Sequence, residues 1–241
     1  MSTRRAKQIV YGMFYIVLWA AFIAVIWFAV RLLAPSAPAP VPCTPSTCAP
    51  TSTAPISVSP VTTFLSSPGH YTFLAQIQDT NQDYAVSYFD YSIDLEDSSG
   101  TVLQSIPENS FIYAGQTKYL VVPNVAVPQA PVSVVLSVKD AYWAATSTLG
   151  SIPAFTTENL TAGTTSSTVS VGGEITNANL SVTRYVFVDV IFVGTDGSPV
   201  GASQTELNNV APDQTVGFSV SYPQTGSIDP TKSQVVVYGL K

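Results

Sequence analysis

The residues able to do chemistry are few. Cys43 and Cys48 are the only cysteines in 241 residues, and they stand in "VPCTPSTCAP", Val41 to Pro50. In an oxidising compartment two thiols at this spacing can close a small loop, which Pro45 would help to turn. Such a ring restricts the unfolded chain by only about 2 kcal/mol, and the surrounding Pro, Ser and Thr offer no fold to stabilise. Three readings stay open: a local kink or clip, a link between neighbouring chains, or a remnant of a longer cysteine-rich segment. His70, in "SSPGHYTF", is the sole histidine. Serine hydrolase chemistry needs a base oriented by an acid, and no G-x-S-x-G elbow accompanies any serine. No H-E-x-x-H or C-x-x-C spacing occurs, so neither a metal nor a cofactor is expected. The sequence therefore predicts no catalytic residue and no enzyme.

The acids are more suggestive. Asp79, Asp83, Asp90, Asp94, Glu96 and Asp97 crowd into 19 positions. Asp90, Asp94 and Glu96 alternate and would share one strand face. Alternate residues on a strand lie about 6.7 Å apart, too far for one calcium ion unless loops add ligands. A solvated face that discourages edge pairing explains them more simply. Paired carboxylates also serve glycosidases, which need a cleft between them; two small sandwiches promise little room for one. Tyr84, Tyr88, Tyr142, Trp143 and Tyr222 are candidates for an exposed aromatic surface that binds glycan or protein. Asn159 ("NLT") and Asn179 ("NLS") match a glycosylation tripeptide.

These residues must be held by an architecture with strong polarity along the chain. Arg4, Arg5, Lys7 and Arg31 flank an acid-free N-terminus, while residues 32–241 carry all fifteen acids and only five bases. So acidic a region cannot neutralise phosphates, which excludes nucleic acid as a partner. Ile9 to Val30, "IVYGMFYIVLWAAFIAVIWFAV", is uncharged and long enough as a helix to cross a hydrocarbon core of about 30 Å. It is too long for a signal peptide's apolar region, and the prolines after it disfavour cleavage. The basic cluster Arg4, Arg5 and Lys7 places the N-terminus in the cytoplasm by the positive-inside rule. Residues 34–56, rich in Pro, Ser and Thr, read as an extended spacer.

Beyond the spacer the pattern becomes period-two. In "SYFDYSIDLEDSSG", Phe89, Tyr91, Ile93 and Leu95 point one way and Tyr88, Asp90, Ser92, Asp94 and Glu96 the other, as in a half-buried antiparallel strand. "TRYVFVDVIFVGTDG" reads the same way about 97 residues later. The match extends to Ile77 and Ile175, Asn81 and Asn179, and Gln116-Thr117 and Gln214-Thr215, at an offset of 97 to 99. A repeat of that size, with short strands and Gly, Asn, Asp and Pro turns, predicts two immunoglobulin-like β-sandwiches of roughly seven strands each. No helix is expected after residue 33.

The stretch "SVGGEITNANLSVTRYVFVDVIFVGTDGSPVGASQTELNNVAPDQTVGFSV" resembles the FxLYD-type and related fibronectin-like sandwich domains of bacterial envelope proteins. The plan of "RRAKQIVYGMFYIVLW", a cysteine-containing juxtamembrane segment and domains like "FDYSIDLEDSSG" resembles uncharacterised single-anchor envelope proteins of candidate-phylum bacteria. That resemblance implies a sandwich fold and an envelope location, and brings no site residues with it.

The expected protein is all-β after one N-terminal transmembrane α-helix. It has a cytoplasmic tail (1–8), a transmembrane helix (9–33), a Pro-rich stalk (34–56) and tandem sandwiches at 57–153 and 154–241. It would be a single-pass protein of the cell membrane with residues 34–241 outside the cytoplasm. Its role would be structural, adhesive or accessory to assembly, with other envelope proteins or cell-wall components as partners. The rival reading is a receptor for glycans or calcium.

Overall fold

The computed structural model describes Trp19 and residues 53–223 and 227–241. The expected tail, membrane helix and most of the stalk, with Arg4, Arg5, Lys7, Cys43 and Cys48, lie outside the described residues. Among the described residues no helix is long and apolar enough to cross a membrane. Contacts separate Met1–Ala49 from Pro50–Lys241, and the second unit is the one described below.

This unit is all-β, built from antiparallel sheets. The first seven strands are β1 (Ser57–Val58), β2 (Thr62–Ser67), β3 (His70–Gln78), β4 (Tyr84–Glu96), β5 (Val102–Ile112), β6 (Thr117–Ala126) and β7 (Ser133–Ala145). A single helical turn, α1 (Thr146–Leu149), follows where no helix was expected. It is too short for its propensity to matter, and Gly150, at φ 80°, ends it. Six strands complete the chain: β8 (Phe155–Thr164), β9 (Thr168–Asn177), β10 (Thr183–Gly194), β11 (Pro199–Val210), β12 (Thr215–Pro223) and β13 (Ile228–Leu240).

In the N-terminal half β3 pairs with β1, β2 and β6, and β4 lies between β5 and β7. The two sheets meet through Phe73, Ile77, Leu120 and Val122 on one side and Phe89, Tyr91, Ile93 and Leu95 on the other. The inward set of β4 is the one that alternation predicts. In the C-terminal half β9 lies between β8 and β12, and β10 between β11 and β13. The pairing scheme is thus the same in both halves, with the first strand divided into β1 and β2 in the N-terminal one. Gly100 (φ 79°) and Gly197 (φ 87°) turn the hairpins β4–β5 and β10–β11, a conformation that costs glycine little.

The repeat also survives at the level of single hydrogen bonds. Asp79 Oδ1 accepts from the backbone N–H of Asn81 (2.8 Å) and from its Nδ2 (2.6 Å). Asn81 in turn grips the incoming chain: Ala54 N–H donates to Asn81 Oδ1 and Asn81 Nδ2 donates to Ala54 O, both at 2.9 Å. Asn177, Asn179 and Ala154 repeat every one of these contacts. Gln116 and Gln214 repeat another pair, their Oε1 atoms accepting from Tyr113 N–H and Ala211 N–H. The Asn179 amide is therefore a structural clamp, with both of its donors engaged, rather than a free glycosylation acceptor.

The two clamps differ at one atom. Asn177 Nδ2 donates to Ser181 O (3.0 Å) and Val210 O (2.8 Å). At the corresponding place Asp79 Oδ2 is buried with no hydrogen-bond partner. Burial raises the Asp79 carboxyl above its ordinary range, against the lowering effect of the Asn81 hydrogen bonds. A raised carboxyl supports the fold fully below its unfolded value and loses that support as pH rises through its folded value. Asp79→Asn should therefore stabilise the protein at pH 8 by roughly 1–3 kcal/mol, the cost of an unsatisfied buried group, and by less at pH 4. Asn177→Asp should do the reverse; thermal melts of both variants across pH check this, and equal shifts at both pH values would count against it.

Candidate functional site

The strand β10 shows where the sequence reading fails. Alternation predicted one buried face, yet Val186, Val188, Val190 and Phe192 are buried and so are Asp189, Ile191 and Val193. The first set faces β9 and β12 in the C-terminal core. The second is covered at the junction, where β11 contacts β2, β3 and β6 and Phe64, Leu74 and Val121 of those strands belong to the same apolar cluster as the C-terminal core. A strand covered on both sides reads as a continuous apolar run rather than an alternation, and "YVFVDVIFV" is such a run with one acid in it.

That acid, Asp189, is fully buried. Its Oδ1 accepts from Gln204 Nε2 on β11 at 2.7 Å, and its Oδ2 has no partner. Across the junction Lys118 on β6 is 3 % exposed. Its Nζ donates to Ser110 Oγ (2.9 Å) and Phe111 O (3.3 Å) and lies 3.6 Å from the centre of the Phe111 ring. Phe187 and Tyr238 of the C-terminal half complete an aromatic box, with ring centres 5.4 and 5.3 Å away. Tyr238 Oη also accepts from Tyr119 N–H at 2.9 Å, a direct hydrogen bond between the halves. Burial lowers the Lys118 ammonium and raises the Asp189 carboxyl, and each group's charge opposes the shift of the other. The two act as opposite charges in one low-dielectric region without forming a contact ion pair.

Beside this pair a cavity of about 310 Å³ opens at the junction. Glu108 and Asn109 on β5 form one wall, and Gln204 and Glu206 on β11 the other; Lys118, Tyr91 and Phe187 lie deeper. The strand registers explain the arrangement. Glu108 stands opposite Tyr91 across β4–β5, and Glu206 stands opposite Phe187 across β10–β11. Glu108 and Glu206 are 98 positions apart, so the same place in the repeat has been brought to the same cleft twice. The expectation that two small sandwiches leave no room for a cleft is corrected: the room lies between the halves.

The residues singled out from sequence fall elsewhere. Asp90 Oδ1 accepts from Tyr88 Oη at 2.6 Å, and Asp94 accepts from Ser105 and Ser92 hydroxyls. Among the described residues no three His, Cys, Asp or Glu side chains converge as a metal site. His70 Nδ1 lies 3.3 Å from Pro68 O at the start of β3. Tyr88 and Tyr142 are exposed, their rings 5.9 Å apart, whereas Tyr222 is core, stacked on Phe192 at 5.4 Å. Lys118, Asp189, Glu108 and Glu206 were missed. The available signal was a lone charge inside an otherwise apolar strand, which only Asp189 displays.

No protein-family model matches the chain, and neither does any curated protein. Among solved structures, the crystal structure of red sea bream transglutaminase matches with a TM-score of 0.23 and 10 % sequence identity. The match covers 80 % of this chain and 32 % of that one, so the chain spans about a third of the structure it matches. That structure is an enzyme, contrary to the expectation that this chain is none, and absence of activity is not carried forward. At so low a score the transglutaminase's own chemistry is not carried over either.

The buried pair makes its own prediction. Lys118→Met should cost about 3 kcal/mol or more, since it strands a buried carboxylate, while Lys118→Met with Asp189→Val should recover most of the loss. The single variants should respond oppositely to pH. With Lys118 gone, the raised Asp189 favours the fold at low pH and loses that support as pH rises. With Asp189→Val, the lowered Lys118 favours the fold at high pH and loses that support as pH falls. Urea melts of the four proteins at pH 5, 7 and 9 check the cycle; additive losses would mean that the two groups are not coupled.

Proposed function

We propose that the chain is a single-pass membrane protein whose Pro50–Lys241 unit is displayed outside the cytoplasm as a structural, adhesive or assembly-accessory module. In this reading the unit comprises two tandem immunoglobulin-like sandwiches, 57–153 and 154–241, held off the bilayer by the Pro-rich stalk. The observation that carries it is the apolar cluster shared between the halves. A junction closed by Phe64, Leu74 and Val121 on one side and β11 and β12 on the other resists hinging, as a module under load or in an assembly requires. The uncharged run Ile9–Val30 and the basic cluster before it supply the anchor and its orientation. Partners of this module would be other envelope proteins or cell-wall components.

The test is a pair of fusions expressed in a bacterial host. Alkaline phosphatase joined after Lys241 should be active and a fluorescent protein before Met1 should fluoresce. The opposite pattern would overturn the orientation. Crosslinking in intact cells should then recover envelope proteins or wall polymer with the full chain; recovery of cytoplasmic proteins alone would overturn the proposed role.

A further inference from the structure

We infer that the cleft between the halves is a binding site for a neutral saccharide unit, held between Glu108 and Asn109 on β5 and Gln204 and Glu206 on β11. The inference deepens the adhesive reading of the same unit by naming what it would adhere to.

The lining of the cleft selects the chemistry of its occupant. Ionised carboxylates only accept hydrogen bonds and an ammonium only donates them, whereas amides do both. The cleft presents all three kinds within about 310 Å³. Glu108 and Glu206 are exposed at its mouth, and Lys118, nine-tenths buried and more, lines its depth. Lys118 donates to Ser110 and Phe111 and faces the Phe111 ring, so the amide of Asn109 is the exposed donor of the lining. A hydroxyl group is the ligand function that meets both requirements, donating to the carboxylates and accepting from the Asn109 amide. An anion would meet two carboxylates, and a cation would meet the lysine.

The shape of the cleft suits the same occupant. A volume near 300 Å³ is at the small end for ligand pockets and suits one or two sugar rings. Phe187, half-buried opposite Glu206, flanks the polar groups, and an aromatic face receives the C–H face of a pyranose while its edge hydroxyls reach polar side chains. The doubled Glu-beside-aromatic arrangement gives the cleft two similar walls.

The competing occupant is a peptide added as a strand, since β5, β6 and β11 each pair with one neighbour only. Those edges are poor templates. Pro107 on β5 and Pro123 on β6 lack the N–H a ladder needs, and the Tyr119 N–H is already taken by Tyr238.

Saturation-transfer NMR on the full chain in a zwitterionic, non-glycosidic detergent tests the inference. The probes are glucose, galactose, mannose, N-acetylglucosamine and the trimer of the last, with citrate, spermidine and tri-alanine as charged and peptide controls. At least one sugar should receive saturation. Glu108→Ala with Glu206→Ala should weaken its binding at least tenfold, and the corresponding Gln pair should retain part of it. A trimer that binds and a monomer that does not would identify a polymer end rather than free sugar as the ligand. Both glutamates are exposed, so the variants should melt as the parent does; should the double variant unfold, Asn109→Ala carries the same expectation. No transfer to any sugar, transfer unaffected by these variants, or transfer to a control alone would overturn the inference. A failed sugar experiment leaves the fusion and crosslinking results standing, and a reversed topology leaves sugar binding to be decided on its own.

Discussion

The structure depends on one constraint: β10 is covered on both faces. Its inward residues complete the C-terminal core, and Asp189, Ile191 and Val193 on its other face are buried too, at the junction where β11 meets β2, β3 and β6 of the other half. Burying a Val or Phe side chain is worth about 1.5–3 kcal/mol, so exposing this strand by separating the halves would sacrifice several such terms at once. The same cover makes the environment of Asp189 and Lys118 dry. A charge there is tolerable only with an opposite charge and hydrogen-bond donors or acceptors close by, which fixes how β6, β10 and β11 approach one another.

The two halves share more than a fold. The Asx clamps at Asp79–Asn81 and Asn177–Asn179 close the same turn and hold the same incoming strand. This is the local device that orients each half's first strand, because the Asx side chains satisfy backbone groups that no sheet partner reaches. Departures from the repeat are therefore informative. Asp79 in place of an asparagine leaves a buried oxygen without a partner. Lys118 and Asp189 occur where the halves meet, and Glu108 and Glu206 show how a repeated position gains a new setting once two copies lie side by side.

Much of the fold was legible from residues alone. The β4 face of Phe89, Tyr91, Ile93 and Leu95, the Gly100 and Gly197 turns and the matched Asn and Gln turns are local patterns. Each follows from a side chain and its near neighbours in sequence. The β10 strand was misread because "TRYVFVDVIFV" was forced into alternation, although its apolar run is nearly unbroken. Tyr222 was taken for a surface aromatic because nothing local indicates that Phe192 stacks on it. The cleft was missed entirely, since its walls come from strands nearly a hundred residues apart.

By itself, the sequence determined the all-β character of the unit, the repeat and the turns that close each hairpin. It did so because backbone preferences and period-two alternation act over a few residues. Tertiary structure alone decided which strand would be buried twice, which acid and which lysine would share the dry junction, and where the two repeated glutamates would meet. Those outcomes follow from packing one half against the other, and burial and electrostatics depend on what surrounds a side chain, which no short stretch of chain contains.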